Sequence, residues 1–284
     1  MTTVAEALRT AASRLESVSD TARLDVELLM AHALGVSRTE LLLRHMHGPV
    51  PEGFAALTSR RERHEPLAYI VGRQEFYGRD FAVSPAVLIP RADSETIVAA
   101  ALAACPAPGR VLDCGVGSGA LLLTVLCECP GASGVGIDRS PEALSIARRN
   151  ASLLEVADRA VLEERDWHLA QWAEGLGSFD LILANPPYVE SDAALDPDVR
   201  DWEPAGALFA GPEGLDDYRI LIPQLRSLLK ENGVVVLEIG SAQAPQVSAI
   251  ATEAGFSTEL HHDLAHRPRA LVLRLGLGKA IGSH

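Results

Sequence analysis

The run FDLILANPPYVE ends an apolar segment in Asn185-Pro186-Pro187-Tyr188, the residues here best suited to chemistry. Two consecutive prolines fix φ and carry no N–H, so the chain cannot extend a strand ladder there and its carbonyls stay free to face a cleft. Asn185 adds a side-chain oxygen and an amide donor, and Tyr188 adds a ring. A planar NH₂ group would find two acceptors, the Asn185 side-chain oxygen and the Pro186 carbonyl. A second chemical stretch is Asp113-Cys114-Gly115-Val116-Gly117-Ser118-Gly119, which leads directly into the helical run ALLLTVLC. Glycines between a strand and a helix let the backbone turn sharply and approach a ligand. The spacing is G-x-G-x-G, which suits a nucleoside better than a pyrophosphate. Asp138 ends the next apolar strand, where a carboxylate can accept both hydroxyls of a ribose. Asp166 and Trp167 follow the strand after that, offering a carboxylate for an exocyclic amine and an aromatic face for an adenine, although Trp167 also reads as core packing.

These residues need a parallel sheet behind them. After Pro108 strand and helix patterns alternate, with strands expected at 110–114, 134–138, 160–166, 179–184, 233–239, 257–262 and 270–275. Helices are expected at 121–127, 141–154, 167–173, 218–229 and 244–254. The last two strands are joined by the short DLAHRPR segment, which predicts an antiparallel pair, because a parallel crossover needs a dozen residues or more. Before this region, IPRADSETIVAAALAA predicts a helix capped by Asp93 or Ser94. Residues 69–90 read as short strands and turns that form a hairpin between two domains. The first seventy or so residues read as short helices. Leu24, Leu28 and Ala31 recur at helical spacing before Gly35, and Ser37 with Glu40 forms a capping box that opens a helix through Leu41, Leu42 and Leu43. The expected division is a helical substrate-recognition domain over 1–72, a hairpin linker over 73–90 and a cofactor-binding domain over 91–284.

Composition narrows the partners. The net charge is −13 in 284 residues, which disfavours a nucleic-acid substrate, since clustered Lys and Arg supply most of the affinity for phosphates. Hydrophobic residues make up 48% and charged residues 22%, so a folded core is expected. No apolar run is long enough to span a membrane and the N-terminus lacks a leader pattern, which predicts a cytoplasmic protein with no membrane partner. Cys105, Cys114, Cys127 and Cys129 form no CxxC pair, so buried thiols are expected and no metal site.

Taken together, DCGVGSGALLL, GIDRSPEALSIARRNA and NPPYV resemble the class I methyltransferases that use S-adenosyl-L-methionine, with a seven-stranded Rossmann-like domain. More narrowly, LDVELLMAHALG, SRTELLL, EPLAYIVGRQEFYGRDFAVSPAVLIPRADSE, GLDDYRILIPQLRSLLKENGVVVLEIG and DLAHRPRALVLR resemble the PrmC/HemK family across nearly the whole chain. The chain departs from the family's usual pattern at Cys114, where Leu is frequent, at Ala92, where Pro is, and at His266, where Gly is. The resemblance implies methyl transfer to the side-chain amide nitrogen (N5) of the glutamine in the Gly-Gly-Gln motif of class I peptide-chain release factors, with S-adenosyl-L-homocysteine as the other product. It implies that Gly115, Val116, Gly117, Ser118 and Gly119 lie against the methionine part of the cofactor, that Asp138 holds the ribose and that Trp167 lies near the adenine. Asn185, Pro186, Pro187 and Tyr188 then take the amide, with Asn185 beside the cofactor as well. A monomer is expected. Two other readings stand beside this one: a methyltransferase for exocyclic amines of adenine or guanine, and a cofactor-binding protein without activity.

Overall fold

The computed structural model describes residues 2–276. Two compact units emerge, one from residues up to Arg73 together with Leu195–Glu203, the other from Gln74–Ala194 together with the chain from Pro204 onward.

The first unit is helical because apolar residues recur on one face of each short helix. Val4–Leu15 buries Val4, Leu8, Ala11 and Leu15, and a capping box of Thr3 and Glu6 starts it. Ala22–Leu34 ends at Gly35, as expected, and buries Ala31, but the rest of its apolar buried face is Ala22, Val26, Leu29 and Met30. Leu24 is 39% exposed. The Ser37 hydroxyl accepts from the Glu40 amide. The reciprocal half of the expected capping box is replaced by a Glu40–Arg44 ion pair at 3.5 Å. The helix after it widens within one turn into a π-turn, Leu41–His45, which buries Leu41 and leaves Leu43 in solvent. Helices Phe54–Arg61 and Leu67–Val71 complete the bundle. Arg61 is its buried ionic centre: Nε donates to Asp25 at 2.8 Å and Nη1 meets Asp198 of the returning segment at 2.8 Å.

In the second unit, strands β1 (Arg73–Phe76) and β2 (Arg79–Ala82) form a two-stranded sheet. The remaining strands are β3 (Arg110–Cys114), β4 (Ser133–Asp138), β5 (Ala160–Glu164), β6 (Phe179–Ala184), β7 (Leu229–Glu238), β8 (Phe256–His262) and β9 (Pro268–Leu275). They form one sheet in the order β5-β4-β3-β6-β7-β9-β8, parallel except for β9, which runs antiparallel to both neighbours. The expected antiparallel ending is therefore present. Alternate residues of each central strand face opposite cores. Leu112, Ile182, Val235 and Leu271 pack with helices Asp216–Leu225 and Ala244–Glu253. Val111, Leu181, Val234 and Val272 pack with helices Glu95–Ala104, Ala120–Glu128 and Pro141–Leu153. This two-sided burial is why the strands read as continuous apolar runs.

Two expectations fail locally. The segment Trp167–Ala173 is a series of turns, not a helix. Gln171 sits at φ +67°, and Arg165 Nη1 takes the carbonyls of Trp172 and Glu174, so a helical ladder cannot run through. Neither Asp93 nor Ser94 caps the following helix through its side chain: Ala92–Ser94 is a 3₁₀ turn, and Asp93 instead accepts from Arg269 Nη2 at 3.0 Å.

Candidate active site

Strand β3 lies between β4 and β6, so consecutive crossovers leave it in opposite directions and open a crevice at the carboxyl ends of the strands. A cleft occupies that crevice. Gly115, Val116, Gly117 and Ser118 line it after β3, Asp138 and Arg139 after β4, Asp166 and Trp167 after β5, and Asn185 and Pro187 after β6. Residues 86–91 and Pro204, Gly206 and Ala207 supply further walls. Residues expected from four separate stretches thus share one cavity. Gly119, Pro186 and Tyr188 stand just beyond its lining, Pro186 buried and Tyr188 half-buried.

The glycine loop is shaped by β4. The amides of Gly115 and Val116 both donate to the Ile137 carbonyl, and the Gly117 amide donates to Asp138 Oδ2 at 2.9 Å. Gly115 has φ +79°, and a Cβ there would come within 3.2 Å of the Trp167 ring. Gly119 has φ +86°, and a Cβ there would lie 2.6 Å from the end of the Leu123 side chain, which would have to shift. Only glycine satisfies both the left-handed backbone and the close packing. Asn150, fully buried, fastens the loop from behind: its Nδ2 donates to the carbonyls of Ser118 and Ala82, and its Oδ1 accepts from the Ala82 amide.

Asp138 is half-buried, with Oδ1 accepting from the Ser140 amide at 3.0 Å in addition to the Gly117 bond. Each oxygen keeps a second lone pair. Trp167 does two jobs. Its indole Nε1 donates to Asp217 Oδ1 at 3.0 Å and its ring belongs to the core, yet it also lines the cleft opposite Gly115. Asp166 is turned partly to His168, accepting from its amide and pairing with Nδ1 at 2.7 Å. Those bonds hold the Asp166 carboxyl below its usual range against the opposing effect of burial.

Sequence reasoning missed the state of Asp113. Its side chain is 1% exposed; Oδ2 accepts from the Leu122 amide at 3.2 Å, while Oδ1 has no hydrogen-bond partner among the described residues. Burial, and secondarily the nearby Asp138, push its pKa up to about 7, although the Leu122 amide works against them. A strand-end Asp beside a glycine loop was visible in sequence, but its desolvation was not. Also missed were Glu238, which ends the apolar run VVVLE, and Arg269. Both are buried, and Glu238 accepts from the Tyr188 hydroxyl at 3.3 Å. The Tyr188 phenol is pushed well above its ordinary range, first by burial and then by Glu238. Among the described residues no cluster of His, Cys, Asp or Glu has the makings of a metal site.

Residues 6–72 match the PrmC N-terminal domain, and residues 107–265 match a methyltransferase domain. A release factor glutamine methyltransferase of Caulobacter vibrioides is 40% identical over 282 residues, covering 95% of this chain and 96% of that protein. One from Rhodospirillum rubrum is 41% identical over 259 residues, covering 89% of this chain and 78% of that protein. A crystal structure of a methyltransferase from Pyrococcus furiosus shares the fold, with a TM-score of 0.53 and 17% identity over 71% of this chain and 91% of that one.

Proposed function

Because the chain belongs to the release factor glutamine methyltransferase family, we propose that its cleft transfers a methyl group from S-adenosyl-L-methionine to the side-chain amide nitrogen (N5) of the glutamine in the Gly-Gly-Gln motif of class I peptide-chain release factors. The observation that carries this reading is that Asn185-Pro186-Pro187-Tyr188 leaves β6 beside the same cleft that the glycine loop and Asp138 line.

The residues present suit the cofactor. Asp113 Oδ1, buried and without a partner among the described residues, suits a cationic ammonium group. The spare lone pairs of Asp138 suit ribose hydroxyls, and Trp167 suits the flat adenine, with Asp166 beside it. Gly115–Gly119 would bear the methionine part. Bound there, the cofactor supplies an electrophilic methyl carbon on a sulfonium.

The chain's own task is position, because an amide nitrogen is a weak nucleophile whose lone pair is delocalised into its carbonyl. The Asn185 side-chain oxygen and the Pro186 carbonyl accept the two amide N–H groups and aim the nitrogen; orientation of this kind is worth roughly 7 to 11 kcal/mol. The same oxygens stabilise positive charge as it grows on nitrogen, which favours the transition state over the bound amide. Pro187 and Tyr188 clamp the planar group, and the ring adds about 0.5 to 2 kcal/mol of cation–π attraction. The excess proton passes to water, so no general base is assigned. The helical unit, residues 1–72 in the expected division, takes the role of gripping the release factor.

The test uses labelled S-adenosyl-L-methionine and three acceptors: a class I release factor, its Gly-Gly-Gln variant with Gln replaced by Ala, and total nucleic acid. Label should enter only the first. Label in nucleic acid would favour an exocyclic amine of a base, and equal label in both release-factor forms would refute the glutamine assignment.

A further inference from the structure

Glu238 closes β7 with its carboxylate 1% exposed, at the end of a strand that is otherwise apolar. Packing alone does not call for a charge there, since burying a carboxylate is costly and an apolar residue of similar volume does the same work more cheaply. Its surroundings explain it. The Tyr188 hydroxyl donates to Oε1 at 3.3 Å, the Ser94 hydroxyl also bonds the carboxylate, and Arg269 Nη1 stands 4.0 Å away. The Tyr218 hydroxyl donates to the Glu238 carbonyl at 2.8 Å. Arg269 is held in turn by Asp93, by the Ile239 carbonyl and by Asp263, which lies 3.9 Å off. The ADSE and DLAHRPRA stretches therefore converge on the carboxylate that holds Tyr188.

Tyr188 is tethered at both ends. Its carbonyl accepts from Gln243 Nε2 at 3.0 Å, and its phenol is tied to Glu238. Removing the phenol's acceptor leaves the ring one fixed point and restores rotation about its side-chain torsions. We propose that Glu238, steadied by Arg269 and Ser94, is a positioning residue that fixes the Tyr188 ring as a wall for the planar acceptor group; this rests on the methyl-transfer reading above.

The experiment is a cycle of Glu238→Ala, Glu238→Leu and Glu238→Gln, each in the parent and in Tyr188→Phe, with kcat, KM for both substrates and melting temperature. A misplaced acceptor should lower kcat by about 10- to 100-fold in Glu238→Ala with little change in cofactor KM. Glu238→Gln, which retains an acceptor oxygen, should recover most of it. In the Tyr188→Phe background the same substitutions should add almost nothing. Should Glu238→Ala melt too low to assay, Glu238→Leu fills the space and carries the cycle. Equal losses in both backgrounds, or a loss confined to cofactor KM or to melting, would overturn the proposal. A second readout needs no substrate: in fluorotyrosine-labelled protein, the resonance that disappears in Tyr188→Phe should shift or broaden in Glu238→Ala and Glu238→Leu. An unmoved resonance overturns the positioning role. Absence of any methylation by the parent would instead refute the substrate reading and leave the fluorine result to decide this one.

Discussion

Asp138 Oδ2 accepts the Gly117 amide at 2.9 Å, so the carboxylate suited to a ribose also fixes the glycine loop across the cleft. Its other oxygen takes the Ser140 amide. Losing a hydrogen bond to a charged group costs about 1.5 to 3 kcal/mol, so Asp138→Ala should weaken binding of S-adenosyl-L-homocysteine by roughly 10- to 100-fold. Asp138→Asn should rescue little, because its amide would set a donor against one of those two backbone N–H groups. Calorimetric titration decides it: unchanged affinity in either variant would remove Asp138 from the cofactor site.

Asn185 lines the cleft at the opposite lip of the β3–β6 crevice. Asn185→Ala should retain most cofactor affinity and lose turnover by about 100- to 1000-fold, the scale seen when one oriented charge-stabilising group is deleted. Asn185→Asp should fail as well, since it trades the amide donor for a second acceptor and adds charge beside the sulfonium. Loss of cofactor affinity as large as that of Asp138→Ala would contradict this division of roles.

Asp113 should leave a mark on stability. Its folded pKa of about 7 lies above the ordinary 3.8, so the folded chain holds a proton that the unfolded chain has released. Its favourable contribution is full below about pH 4 and fades as pH rises to about 7. Asp113→Asn, neutral throughout, should therefore gain melting temperature relative to the parent across that window and keep the gain above it. A difference that stays constant with pH in the ligand-free protein would show that Asp113 ionises normally.

Asn150 satisfies three backbone groups at once, on Ala82 and Ser118. Asn150→Ala leaves them buried without partners and should cost about 2 to 4 kcal/mol in chemical denaturation. Cofactor affinity should fall as well, because the Ser118 carbonyl loses its anchor. An unaltered denaturation midpoint would mean that the surrounding chain finds other donors.

His266 holds φ +60° in the turn between β8 and β9, where the Asp263 carboxylate accepts the amides of Ala265 and Arg267. Glycine adopts that left-handed backbone without steric cost, whereas an imidazole-bearing residue does not. His266→Gly should relieve strain worth about 0.5 to 1 kcal/mol, raising the melting temperature by a few degrees at most. A fall in melting temperature would show that the imidazole contributes more than the strain it imposes.

Local chemistry made much of this protein legible from its residues alone. Strands β3 and β6 fall where their apolar runs do, since two-sided burial leaves no other pattern available. The paired prolines and the left-handed glycines mark their turns because each restricts its own backbone. What escaped is what depends on distant partners. The Trp167–Ala173 turns follow from carbonyls captured by Arg165 and from Gln171 at positive φ, neither of which has a periodic signature. Arg61 with Asp25 and Asp198, Asn150 with Ala82, and Glu238 with Tyr188 are joined across stretches of chain that carry no mutual pattern. The sequence by itself determined which residues could bend the chain, accept an amide or hold a ribose, because those are properties of single side chains and short spacings. Only the tertiary structure decided which carboxylates lost their water, since desolvation depends on everything packed around a group; that turned Asp113 into a near-neutral acid and Glu238 into a tether.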